Sequence, residues 1–127
     1  MLAEDGNMFY KYRSNLEMVW VAGGRMKIGL LYFADCPSWK MGFENLKAAL
    51  AAEKVDGNIE LIQVETDEKA TIEKFLGSPS FRINGQDLWP EDRRAYHLGC
   101  RIYKTDNGMR GVPTVGMLRE KIRRILT

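Results

Sequence analysis

One hundred and twenty-seven residues fit one domain, since domains commonly run about 100–150 residues. A composition of 45% hydrophobic and 28% charged residues excludes a disordered tail, a collagen and a coiled coil. No apolar run nears the roughly 18 residues of a membrane span, and no basic start followed by an apolar block marks a signal peptide.

Two cysteines are too few for a secreted disulfide framework, and one histidine beside them cannot complete a structural zinc site. The expected setting is the cytoplasm, with no membrane partner, no metal and no cofactor. Net charge is +2 but unevenly spread: residues 1–92 carry ten Lys/Arg against fifteen Asp/Glu, and residues 93–127 carry nine against two. Such a basic tail suits an anionic ligand. The plainer reading places Arg119, Lys121, Arg123 and Arg124 on a C-terminal helix whose dipole they complement, so nucleic acid is not an expected partner.

In chain order, residues 1–25 read as an N-terminal extension whose order the pattern leaves open, and 26–127 as the domain. Within the extension, Glu17–Val21 reads first as part of a frayed arm and second as an edge strand or a cover over an apolar surface. Gly23-Gly24 breaks the chain before a strand starting at Met26, whose run Ile28–Phe33 is nearly all apolar, as in a parallel strand covered on both faces. Trp39, Phe43, Leu46 and Leu50 recur at helical spacing, and Ile59–Val64 is the second strand, parallel to the first across a right-handed crossover. Thr66 caps a short helix with Ile72, Phe75 and Leu76 inward and Gly77 as its stop.

Ser80–Ile83 and Gln86–Leu88 form a hairpin around Asn84-Gly85, two residues that tolerate positive φ. Residues 89–99 read as a loop, Cys100–Lys104 as an extended piece and Asp106-Asn107-Gly108 as a turn. Pro113-Thr114 opens a last helix with Val115, Leu118, Ile122 and Ile125 inward. The predicted class is α/β: a four-stranded mixed sheet in the order β-α-β-α-β-β-α, flanked by helices.

Cys36-Pro37 falls between a buried strand and a helix. Free first-turn N–H groups and the positive end of the helix dipole stabilise a thiolate there, and Pro37 suits the first helical position. Asp35 works against this, and the plain alternative is a small apolar filler. Trp39 reads first as core and second as a shield for the sulfur. Trp89, Tyr96 and His97 form a candidate lid, with His97 either a proton carrier or a solvated surface group. Arg82 is either a partner for a substrate carboxylate or an exposed strand residue.

Cys36-Pro37-Ser38-Trp39 after such a strand resembles the Cys-Pro-x-Cys site of glutaredoxin and thioredoxin-like proteins, and Gly77-Ser78-Pro79-Ser80 before an Asn-Gly hairpin resembles their cis-proline loop. With Gly99-Cys100-Arg101-Ile102-Tyr103 and Gly111-Val112-Pro113-Thr114, residues 26–127 are similar to small bacterial thioredoxin-family proteins, some loosely labelled alkylmercury lyases. The resemblance implies a thioredoxin-like fold, Cys36 as nucleophile, and a cis Ser78–Pro79 bond whose backbone pairs with an extended substrate. Pro37, Trp39, Ser78 and Pro79 are then the substrate-facing residues.

Trp39 stands where the dithiol family keeps its resolving cysteine, so an external thiol or Cys100 must do that work, and a bridge requires Cα atoms within about 7 Å. The leading expectation is a monomeric thiol-dependent redox protein acting on a protein disulfide or a small thiol such as glutathione. Two alternatives stand beside it: a non-catalytic peptide- or protein-binding module, and soft-metal or organomercury handling by the two thiols. Cys100 can equally be a buried strand residue with no redox part.

Overall fold

The computed structural model describes residues 8–12, as backbone, and 26–126. The segment Glu17–Val21, read as a frayed arm or an edge strand, lies outside them. Among the described residues, seven strands and three helices follow in the order β1 (Met8–Tyr12), β2 (Met26–Tyr32), α1 (Trp39–Ala52), β3 (Gly57–Gln63), α2 (Asp67–Glu73), β4 (Ser80–Ile83), β5 (Gln86–Asp87), β6 (Tyr103–Thr105), β7 (Gly108–Arg110) and α3 (Val115–Leu126).

The main sheet runs β1-β3-β2-β4-β5. β2 pairs parallel with β3 from Met26↔Gly57 to Tyr32↔Gln63, and antiparallel with β4 from Ile28↔Ile83 to Leu31↔Ser80. Four strands are those predicted. The fifth, β1, pairs antiparallel along the outer edge of β3, from Met8↔Leu61 to Tyr12↔Gly57. Phe9, Tyr10 and Tyr12 are strand formers, and the open edge of β3 supplies partners that no local periodicity announces. The Asp106-Asn107 turn also closes a small β6–β7 hairpin, a further departure from the expected element order.

β2 is buried on both faces because it is central. Ile28 and Leu30 point into a core shared with Leu46, Ala49 and Leu50 of α1 and Leu118 and Ile122 of α3. Leu31 points the other way, onto Val64, Ala70 of α2 and Phe75. Each such side chain contributes about 1.5–3 kcal/mol by leaving water. Asn84 and Gly85 both take positive φ in the predicted hairpin turn. Asn84 also latches the turn to β2: its N donates to Lys27 O at 2.7 Å and its side-chain oxygen accepts from Lys27 N at 3.1 Å.

Two expectations about faces need correction. Ile72 is 78% exposed, because α2 ends at Glu73 and turns through Lys74 in the left-handed region, so only Ala70 is buried on the helix itself. Phe75 and Leu76 are buried just beyond that end. Ile125 is exposed, since α3 runs past the core after Ile122. Among the described residues no helix is long and apolar enough to cross a membrane.

Candidate functional site

Cys36 follows β2 through a tight turn in which its N donates to Phe33 O at 3.0 Å. The helix begins later than predicted: Ser38 is the N-cap and Trp39 the first residue of α1, so Pro37 is an exposed turn residue rather than the first helical position. Ser38 adopts a helical backbone without capping by its side chain. Gly111 packs so closely on it that a Cβ there would lie 2.5 Å from Ser38 Oγ. Cys36 is thus ahead of the helix end, where the dipole's influence fades. It is buried, 5% exposed, and its Sγ donates to Ser78 O at 3.6 Å.

The Ser78–Pro79 bond is cis, as the resemblance implies. Ser78 is fully buried, and its Oγ accepts from Phe33 N at 3.2 Å, which ties the loop to the end of β2. Pro79 is buried against α1 at Gly42, where a Cβ would come within 2.9 Å of its ring. The backbone of Ser78 is not open to an added strand, contrary to what the resemblance implies. Its N donates to Gly99 O at 2.8 Å and its O accepts from Arg101 N at 3.0 Å, an isolated parallel bridge opposite Cys100.

That bridge brings the second thiol to the first. Cys100 is exposed rather than a buried strand residue, and both cysteines are free thiols. Desolvation, the charge of the Cys36 sulfur and a hydrogen bond with it all push the Cys100 thiol above its ordinary range.

Arg101, which sequence reasoning missed, fixes this segment. The residue is 4% exposed. Its Nη1 donates to both oxygens of the Asp87 carboxylate at 3.0 and 2.9 Å and to Ser80 Oγ at 3.1 Å, and its Nη2 donates to Trp89 O and to Glu91 at 3.4 Å. Burial raises the Asp87 carboxyl and Arg101 offsets part of that rise. Gly77, at φ +116°, lets the Arg101 backbone approach, since a Cβ would sit 2.9 Å from Arg101 Cβ and 3.1 Å from its Cα. Two residues on, buried Tyr103 donates its hydroxyl to Pro79 O at 2.6 Å.

The remaining candidates lie elsewhere. Trp39 is half-buried and stacks on Tyr32, ring centres 4.0 Å apart, against the first core. Trp89 packs edge-on to Tyr103 at 5.1 Å, Tyr96 packs on the second core, and His97 is exposed, while the end of the 89–99 loop reaches the Cys36 side through Gly99, which accepts from Ser78 N. Arg82 is engaged by the Glu73 carboxylate at 3.2 Å and by Glu73 O, at the end of α2. It lines a cleft of about 310 Å³ together with Ile72, Asp87, Glu91 and Tyr96, to which neither thiol contributes. On the basic tail, Arg119 and Arg123 both donate to Glu53 and hold its carboxyl below the usual range. Among the described residues no group of three or more metal-ligating side chains collects.

Burial raises the Tyr103 hydroxyl well above its ordinary range, and burial followed by the charge of Glu65 raises Tyr32. The folded chain therefore keeps protons that the unfolded chain sheds, first at Cys100 from about pH 8.5 and then at the tyrosines from about pH 10. Stability is expected to hold below that range and to fall as pH rises through it. Tyr103 alone sets a limit of about 1.4 kcal/mol per pH unit. Urea midpoints from neutral to strongly alkaline pH test this, and a flat profile contradicts it.

Compared with known proteins, the chain matches no family model, no curated protein and no solved structure.

Proposed function

We propose that the protein is a thiol–disulfide exchange protein of thioredoxin-like build, with Cys36 and Cys100 as its redox couple. The observation that carries the reading is the second thiol set against the first by the pairing of Ser78 with Gly99 and Arg101. A parallel β2-α1-β3 unit, an antiparallel β4–β5 hairpin and a cis proline beside the strand-end cysteine support it. A dithiol can reduce a substrate disulfide to two thiols while closing its own S–S bond, so two electrons and two protons pass to the substrate. An external thiol reductant such as glutathione then reopens the bridge.

The alternative of a peptide-binding scaffold loses its most direct mode, because both backbone groups of Ser78 are already paired within the chain. Equilibration in glutathione buffers of graded redox poise, read by intact mass and peptide mapping, tests the redox reading. The expected result is a reversible Cys36–Cys100 bridge, seen as the loss of two hydrogens. Two free thiols across the whole range would sink it.

A further inference from the structure

Resting on that redox reading, we propose that Cys100 is the thiol that meets the incoming disulfide, and that buried Cys36 acts second as the resolving thiol. This reverses the order the sequence suggests, in which the strand-end cysteine attacks first.

Three independent features carry the assignment. The first is access: Cys36 is 5% exposed with its Sγ on Ser78 O, whereas Cys100 is exposed. Exchange requires in-line approach of a sulfur to a sulfur, so an enclosed thiol is reached only by a group already inside. The second is the groove. An extended substrate reaching Cys36 along the cis proline needs the N–H and C=O of Ser78, and Gly99 and Arg101 hold both. The chain's own segment therefore occupies the backbone groups that a substrate strand would need, with Cys100 opposite Ser78.

The third feature is how that segment is held and what it shows to solvent. Arg101 and Tyr103 turn inward while Leu98, Cys100 and Ile102 turn outward, Leu98 being 37% and Ile102 57% exposed. The inward residues are anchored by the Arg101–Asp87 pair and by the Tyr103–Pro79 bond, so the segment is fixed in place. The outward row leaves an exposed apolar side chain two residues to either side of Cys100 as its frame. Such a frame suits a disulfide flanked by apolar residues, because the flanking side chains leave water on contact.

In the first step Cys100 gives up its proton to solvent and its thiolate bonds to one sulfur of the substrate disulfide, and the other sulfur leaves as a thiolate that takes up a proton. In the second, Cys36 gives up its proton and its sulfur bonds to the Cys100 sulfur, expelling the second substrate thiolate, which is protonated in turn. The substrate gains two electrons and two protons, and the protein is left with the Cys36–Cys100 disulfide. Reduction by two equivalents of an external thiol restores it.

The test begins with the reduced native chain. A short pulse of N-ethylmaleimide followed by peptide mapping is expected to label Cys100 ahead of Cys36. Cys36→Ser and Cys100→Ser are then mixed with oxidised glutathione and with DTNB. Cys36→Ser is expected to form a stable mixed disulfide at Cys100, while Cys100→Ser reacts more slowly by on the order of tenfold or more. If Cys36 is labelled first in the native chain, or if Cys100→Ser reacts as fast as Cys36→Ser, the assigned order is wrong although the redox couple stands. If the native chain never closes the bridge in glutathione buffers, the redox reading itself fails and the order falls with it. The pulse on the native chain decides the order even where a variant does not fold.

Discussion

Arg101→Met is expected to lower the free energy of unfolding by about 3–5 kcal/mol at neutral pH, the cost of breaking a buried ion pair from one side. The side chains of Arg101 and Asp87 are 3% and 10% exposed, so neither charge has water to fall back on. Arg101 is what offsets the burial that raises the Asp87 carboxyl. Without it the carboxylate must either stay charged in a poor solvent or take up a proton. The loss is therefore largest at neutral and alkaline pH, and it shrinks as pH falls and Asp87 becomes neutral.

Asp87→Asn in the Arg101→Met background separates the stranded charge from lost packing. The amide oxygen can still accept from Trp89 N, which donates to Asp87 at 2.8 Å in the native chain, and no charge remains to be buried. The double variant is expected to recover most of the loss. Urea unfolding of the two variants checks this, and a double variant no more stable than the single one removes the stranded carboxylate as the cause. The same pair should show in redox titration. Loosening Arg101 frees Cys100 from its place beside Cys36, so the bridge forms less readily in Arg101→Met than in the native chain.

The sheet and the cis-proline loop were legible in the sequence because their signals are local. An apolar run covered on both faces and an Asn-Gly turn each act within a few residues and are found where expected, and the cis Ser78–Pro79 bond is the one the resemblance implies, although α2 stops at Lys74 rather than at the predicted Gly77. Elements that depend on distant partners were not legible. β1 exists through the free edge of β3, some fifty residues on, and its own pattern gives no period. The site was half legible for the same reason. Cys36, Ser78 and Pro79 lie together as the motif implies, but an arginine flanked by Cys100 and Ile102 reads as an outward charge on an apolar strand. The structure turns that pattern inside out. Asp87, fourteen residues earlier, supplies an inward counter-charge, and Leu98 and Ile102 are left facing solvent. Alternation along a strand tells which residues share a face, not which face is buried, when a buried ion pair competes with apolar side chains for the inside.

Phe81→Ala is the second large loss expected, about 3–5 kcal/mol, since the ring is 1% exposed and its removal leaves a cavity the neighbours only partly fill. Trp89 and Tyr103 meet that ring edge-on at 6.3 and 6.2 Å, and α1 comes down on it at Gly42. A Cβ at Gly42 would lie 3.2 Å from Phe81 Cζ and 2.9 Å from Pro79 Cγ. Gly42→Ala alone is therefore overpacked and is expected to cost about 1–3 kcal/mol. In the Phe81→Ala background one of the two clashes disappears and the methyl fills part of the cavity, while the rigid proline ring still resists. The double variant should thus lose less than the two single losses together, with a coupling of about 0.5 kcal/mol or more. Strict additivity in urea unfolding would mean that Gly42 and Phe81 do not share one packed seat for the cis proline. If they do share it, the same cavity withdraws support from Pro79, whose carbonyl Tyr103 holds and whose neighbour Ser78 holds both thiol-bearing segments. Phe81→Ala is then expected to slow closure of the Cys36–Cys100 bridge although it touches neither sulfur.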